Sequence, residues 1–529
     1  MLSPPSASRL LNSACRPVVL FRCRHLSSGP KVCVVGSGPS AFYFTQHVLK
    51  NHGFVSVDMF EKLPAPFGLV RYGVAPDHPE VKNVINTFTE VAKNPRFNFF
   101  GNVTVGKDIR LHELQRAYAA VVLAYGASTD RRLGVPGEDI PGVLSAREFV
   151  GWYNGAPYSE LHPDLNCDTV AVVGIGNVAL DVARILLSPI SRLKRFDIPE
   201  PVLATLSTSK IRRVVLIGRR GPLQAAFTLK EVRELSRLPI SDNADSIGNQ
   251  LPVTVLPSDI FECTIGDKED IANLLRELPR PRRRLTQFLL DLPRSPPSSP
   301  SSKICDILFL RSPVRIVPKQ SLQTRPNQSM VDGLELTINQ LEGPPSEHQR
   351  AIPILNRSTE LLECGLVVRS IGYKSVQIDP DIPFDEARGV IKSKDNHGRV
   401  AKSVHKPVGA DDCLLYCTGW AKRGSSGVII DTSMDARDTA RTLLIDLAQA
   451  ELQGDPRVVG KKGLPVLMDI LHERHVHPLA FADWERVDAM EKAAGKALGK
   501  SREKLTSVEA IMNAAFADAA QHRGIDKKS

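Results

Sequence analysis

The chain has 529 residues and is 42% hydrophobic, enough for two or three domains with sizeable cores. No apolar run approaches the ~18 residues of a transmembrane helix, which excludes that architecture. The net charge of +10 suggests an acidic partner, but no nucleic-acid module is recognisable, so nucleic acid is not the expected one.

Met1 to Ser28 stand apart from the fold. They carry Arg9, Arg16, Arg22 and Arg24, many serines and no acid; the first acid of the chain is Asp58. This bias is that of a mitochondrial transit peptide, with Arg24-His25-Leu26-Ser27-Ser28 as the cleavage region. Next, Val32-Cys33-Val34-Val35 reads as a strand running into Gly36-Ser37-Gly38-Pro39-Ser40-Ala41, a Gly-x-Gly-x-x-Ala turn. Ala41, Phe44, Val48 and Leu49 then recur at helical spacing. Val55, Val57 and Met59 alternate as a second strand, which stops at Glu61. This βαβ unit carries a dinucleotide fingerprint. Gly36 permits the tight turn, Gly38 lets a pyrophosphate approach the helix N-terminus, and Ala41 allows close packing. Glu61 can accept hydrogen bonds from an adenosine ribose that has no 2′-phosphate.

Lys62 to Pro79 is rich in Pro and Gly yet apolar, suited either to cover a flat aromatic ligand or to pack as a structural loop. A helix is expected through Val81, Val84, Ile85 and Phe88, then strands at Gly101 to Val105 and Tyr118 to Ala127. Gly134 to Gly142 reads as a crossing between domains. The opening pattern then recurs. Thr169 to Val173 is a strand, Gly174-Ile175-Gly176-Asn177-Val178-Ala179 a second fingerprint, and a helix continues through Val182, Ile185 and Leu186. After an insertion at about Ser188 to Lys210, the strand Val214 to Ile217 ends in Gly218-Arg219-Arg220. Two arginines where the first unit has Glu61 can clamp a 2′-phosphate with planar donor forks, which points to NADPH rather than NADH.

Arg280-Pro281-Arg282-Arg283-Arg284 is the densest basic run, either a solvated face or an attractor for an acidic protein. Leu292 to Lys303 reads as a loop. Leu366 to Gly372 and Leu414 to Gly419 are strands, the second leading into Trp420. Gly424 to Ile429 opens a helix whose amides could face an electron-rich ring edge, and a last helix runs from Thr506 to about Ala520. The nine cysteines show no Cys-x-x-Cys; Cys413 and Cys417 are expected as free thiols on a buried edge strand. No His/Cys cluster has metal-ligand spacing, so no metal centre is expected.

Several of these pieces together carry a resemblance: Pro66-Phe67-Gly68-Leu69-Val70-Arg71, Gly176-Asn177-Val178-Ala179-Leu180-Asp181, Gly218-Arg219-Arg220-Gly221-Pro222-Leu223, Ser370-Ile371-Gly372-Tyr373-Lys374 and Gly419-Trp420. From Pro30 to Lys504 the chain resembles the mitochondrial NADPH:adrenodoxin oxidoreductase (ferredoxin reductase) family. The resemblance implies an α/β fold of two Rossmann-like domains, with the NADP domain inserted in a discontinuous FAD domain. The expected borders are 1–28 for the transit peptide, 29–137 and 365–529 for the FAD domain and tail, and 138–364 for the NADP domain.

By the same resemblance, Ser40, Glu61, Leu69, Val105, Trp420, Gly427, Val428 and Ile429 contact FAD. Ile175, Gly176, Asn177, Val178, Arg219, Arg220 and Glu231 hold NADPH; His78 and Asp181 form a polar pair at the redox centre. Arg280, Arg282, Arg283 and Arg284 lie on the docking face for an acidic 2Fe–2S ferredoxin. Ile175 departs from the family, which often has a polar residue between those glycines. The implied enzyme takes hydride from NADPH and passes single electrons to the ferredoxin in the mitochondrial matrix, any inner-membrane association being peripheral. A thioredoxin- or glutathione-type reductase would need a redox cysteine pair that is missing here; a nucleotide-sensing flavoprotein without turnover is the alternative from another class.

Overall fold

The computed structural model describes residues 29–240, 250–295, 303–319, 330–401 and 413–517. The expected transit peptide, and the centre of the loop expected from Leu292 to Lys303, lie outside the described residues.

Two six-stranded sheets organise the chain. In the first, the order is Leu414–Cys417, Ala120–Leu123, Lys31–Val35, Ser56–Phe60, Phe97–Gly101, Leu479–Ala480; all neighbours are parallel except the last pair. The second, wholly parallel, runs Val143–Ser145, Leu366–Arg369, Thr169–Val173, Arg213–Ile217, Ile304–Leu308, Val253–Leu256. Central strands of such sheets are covered on both faces, so burial runs along them continuously rather than alternating. Val57 to Phe60 are accordingly all buried, although the sequence shows only Val57 and Met59 as the apolar alternation.

The chain crosses between the sheets twice, and the two crossings pair with each other. Thr129–Asp130 and Tyr373–Lys374 form an antiparallel ribbon of two residues each. Both expected borders therefore move. The first crossing precedes Gly134 to Gly142, whose Glu138 accepts from the Leu133 and Gly134 amides and pairs with Arg369 at 2.8 Å. Leu366–Arg369, placed by sequence in the returning first domain, pairs with Thr169–Val173 and so belongs to the second sheet.

The expected strand at Gly101 to Val105 ends at Gly101, having begun at Phe97. The insertion after Ser188 is two helices, Ile190–Leu193 and Glu200–Ser207. An antiparallel sheet absent from the sequence reading lies beside the second domain: Val331–Glu342 pairs with Arg311–Pro318, Arg350–Pro353 and Glu360–Glu363. Among the described residues the last helix is Val508–Ala515, and the end of the expected one, at about Ala520, lies outside them. Cys413 and Cys417 are thiols outside any disulfide and lie buried at the edge of the first sheet, as expected. Among the described residues no helix is long and apolar enough to cross a membrane.

Candidate functional site

At the first fingerprint the amide of Gly36 donates to Phe60 O at 2.7 Å, closing the turn. Gly36 has φ +97°, and a Cβ there would lie 2.7 Å from Ala124 O, so only glycine fits. A Cβ on Gly38 would meet nothing within 4 Å, leaving open space at the start of helix Pro39–Asn51. Ala41 is buried in that helix. Glu61 is buried and accepts from Ser37 N (2.9 Å), Ser37 Oγ (2.8 Å) and Leu63 N (3.0 Å). It holds the fingerprint loop as well as facing a cavity of ≈ 90 Å³, which Gly36, Glu61, Val105 and Tyr125 help line.

The flanking pieces converge on this loop. The Gly68 Cβ position lies 3.1 Å from Gly38 Cα, which seats helix Gly68–Tyr72, with Leu69, against the fingerprint. A Cβ on Gly419 would lie 2.6 Å from the Ser40 side chain, which brings Trp420 to the same place. Trp420 and Tyr373 rings are 6.0 Å apart, and Ser425 Oγ accepts from Tyr373 N at 2.9 Å, tying the crossing ribbon to this loop. Gly427 and Val428 lead into helix Ile429–Leu452, which packs on Pro39–Asn51; Val428 N donates to Asp431 at 2.8 Å.

The second fingerprint repeats the geometry. A Cβ on Gly174, at φ +126°, would lie 2.1 Å from Ser370 O, while one on Gly176 would meet nothing within 4 Å. Ile175 packs on the Gly218 backbone, so its side chain fills the strand end apolarly where a polar residue could have bonded a ligand. Asn177 Oδ1 accepts from Thr228 N at 2.8 Å, and Val178 packs on the core. Arg219 and Arg220 follow strand Arg213–Ile217, and among the described residues neither is in an ion pair. Burial, then the charges of Arg219 and Arg282, disfavour the Arg220 cation, a setting that an arriving anion relieves. The open glycines, the cavity beside Glu61 and the unpaired arginines fit two dinucleotides, one without and one with a 2′-phosphate.

Between the two fingerprints the domains meet through charged groups. Buried Arg184 donates to Asp77 at 2.6 and 3.0 Å and to Asp181 at 2.7 Å. His78 Nε2 lies 2.9 Å from Glu234 and 3.8 Å from Glu231. Asp181 and His78 thus belong to one cluster, linked through Arg184 and helix Leu229–Ser236. Glu231 lies at this junction rather than at the arginine end. Burial pushes the Asp181 carboxyl up to about 6, against Arg184 and His78. Burial would also raise Asp77, but its bonds from Arg184 and the charges of Arg184, His78 and Arg192 hold it below the usual range. Burial opposes protonation of His78, and the Glu234 bond outweighs it, so its pKa rises. His78, Glu231 and Glu234 have the spacing of metal ligands, yet Arg184 lies 3.7 and 3.9 Å from the two carboxylates and repels a cation.

Sequence reasoning missed Asp77, Arg184 and Glu234. Glu234 had a signal, one helical turn from Glu231 on the same face. The arginine run opens helix Arg280–Asp291, with Arg280, Arg283 and Arg284 exposed. Arg282 differs: it donates to Ala225 O at 2.7 Å and lies 3.3 Å from Glu347, so it is committed to the second domain's own loops.

Two dinucleotide folds that open onto one polar junction define an oxidoreductase that passes electrons between two bound nucleotides. The chain belongs to the NADPH:adrenodoxin oxidoreductase family. It is 46% identical to the mitochondrial NADPH:adrenodoxin oxidoreductase of Homo sapiens, over 93% of each chain. It is 45% identical to that of Salvelinus fontinalis, over 93% of this chain and 92% of the relative. A solved structure of Mycobacterium tuberculosis FprA in complex with NADPH superposes with a TM-score of 0.77 at 36% identity, covering 92% of this chain and all of that one. No protein-family model matches the chain.

Proposed function

We propose that this chain takes hydride from NADPH at its second sheet and passes electrons, through FAD at its first, to an acidic 2Fe–2S ferredoxin. The observation that carries this reading is the junction itself: Asp77 and His78, from the first domain, bond Arg184 and Glu234 of the second. Gly36, Gly38, Ser40, Ala41, Glu61, Leu69, Val105, Trp420, Gly427, Val428 and Ile429 would hold FAD. Ile175, Gly176, Asn177, Val178, Arg219 and Arg220 would hold NADPH, with Glu231 toward the nicotinamide end. When bound, FAD supplies acceptance of two electrons and their release one at a time. The protein's part is to bind, orient and screen. Arg184 fixes Asp181 and Asp77, and the bond to Glu234 orients the His78 ring and favours its protonated form, so the charges at the junction are preset.

The mature protein would work in the mitochondrial matrix after losing about 28 residues, given the acid-free, Arg- and Ser-rich start. Amino-terminal sequencing of the organelle-resident form is expected to begin near Gly29; an intact Met1 there would refute cleavage.

The docking face rests on Arg280, Arg283 and Arg284, whose exposure leaves them available to carboxylates. Exposed pairs are individually weak and screened by salt. Replacing these three with Gln is expected to cost ~1–2 kcal/mol, roughly five- to thirtyfold in ferredoxin kcat/KM at low salt. The dependence on ionic strength should flatten as well. Ferricyanide reduction by NADPH should hold, since it tests the nucleotide sites alone. A parallel fall in both activities would assign the run to the nucleotide site; no change in either would place docking elsewhere.

A further inference from the structure

The crossing ribbon is only two residues wide on each side, too thin by itself to fix one domain against the other. The carboxyl-terminal segment between helices Phe481–Ala497 and Val508–Ala515 supplies a separate tether. Its first-domain anchors are firm. Arg502 pairs with Asp488 (2.7 Å) and Glu491 (3.0 Å), and Leu505 N donates to Glu491 at 3.0 Å. Glu491 is itself buried against Arg71 at 2.6 Å. Ile511, Ala514 and Ala515 then sink into the first domain's core.

From this anchored segment two fully buried lysines reach across. Lys500 donates to Ile198 O (2.7 Å) and Glu200 (2.8 Å), while Glu503 accepts from Glu200 N at 2.9 Å. Lys504 lies 2.8 Å from Asp197 and donates to Asn154 O at 3.0 Å, with Arg71 O at 3.5 Å. Asp197 also binds Lys82, at 2.9 Å, which in turn donates to Asn154 Oδ1 at 3.1 Å. Asn154 caps helix Ala146–Tyr153, and Asp197 sits in the insertion after helix Asn177–Leu187, both in the second domain. Lys82 ends the short helix that begins one residue after His78, and Arg71 shares a helix with Leu69. One buried network thus joins the His78 segment, the Leu69 helix and the domain that carries Asp181.

We propose that Lys504, supported by Lys500, is a positioning residue whose strap holds the second domain against the first in the geometry that brings NADPH to the flavin. Buried donors with partners on both sides define a single arrangement, and hydride transfer is steep in distance. The bonds of both lysines run to protein groups, and neither is among the residues proposed above to hold a nucleotide. The inference rests on NADPH lying at the second sheet, as proposed above.

The test uses the full-length, flavin-loaded protein and Lys504→Met. Reduction of the bound flavin by NADPH, followed in a single turnover, should slow at least roughly tenfold. Flavin content and NADP⁺ affinity should stay within about threefold of the unaltered protein. Spin labels at Asn51 and Ser207, in a Cys263→Ser background, should show a broadened inter-domain distance. Lys500→Met should act in the same direction more weakly, and serves if Lys504→Met does not load flavin. A lowered melting temperature with unchanged flavin reduction and label distance would make the lysines local stabilisers and overturn the proposal. If NADPH did not bind at the second sheet, NADP⁺ affinity would instead ignore Arg219 and Arg220, which separates that failure from this one.

Discussion

Replacing Arg219 and Arg220 together with alanine is expected to lower kcat/KM for NADPH by about 2–4 kcal/mol, roughly thirty- to eight-hundredfold. NADH should change by less than about threefold. The asymmetry follows from what surrounds these residues. Among the described residues no carboxylate pairs with either one, whereas nearby Arg282 has Glu347. Burial and two neighbouring cations already disfavour the charge on Arg220. A 2′-phosphate brings negative charge into that field and gives the guanidinium forks planar acceptors, gains that NADH cannot provide. The loss should fall on KM, because the contact is remote from the hydride and is made equally in ground and transition states. Steady-state kinetics with both nucleotides measures it. Equal losses for NADPH and NADH would show that the arginines support the loop rather than read the phosphate.

The parts of this site that the sequence displays are those built within one βαβ unit. Gly36, Gly38 and Glu61, or Gly174, Gly176 and Arg219, lie on a single strand-turn-helix-strand path, so their spacing carries their geometry. Sheet membership is different. Leu366, Val367 and Val368 are buried in succession, on both faces of their strand, so this apolar run looks the same whichever sheet it joins. The crossing ribbon is too short to have a period. The antiparallel strand Val331–Glu342 did have a signal: Leu334, Leu336 and Ile338 are buried, with Glu335 and Thr337 between them less so, a period of two. The junction was the least legible. Arg184 meets Asp77 across 107 residues of chain, and no local pattern distinguishes an arginine aimed into a domain interface from one on a solvated helix face.

That arginine carries the largest expected loss of stability. Arg184→Met is expected to destabilise the flavin-loaded protein by roughly 3–5 kcal/mol. The reason is what it leaves behind. Arg184 gives Asp77 a bidentate clamp and Asp181 a further bond, with Glu231 and Glu234 just beyond. Methionine fills much of the space but abandons several partly or fully buried carboxylates to mutual repulsion. Adding Asp77→Asn to Arg184→Met should recover part of the loss, since a neutral amide costs less to bury than an unpaired carboxylate. The pH dependence separates charge from packing. In the unaltered protein the Asp77 carboxyl is held below its ordinary value, so its stabilisation is present above that value and fades as pH falls through the lowered one. Without Arg184 the carboxyl would rise above its unfolded value, and Asp181, already at about 6, would rise further. The variant would then gain protons on folding, and its deficit against the unaltered protein should narrow between pH 7 and about pH 4. Denaturant unfolding across that range reads the gap directly. A deficit that stayed constant with pH would mean that Arg184 acts by filling space, and the junction's charges would then be balanced by other groups.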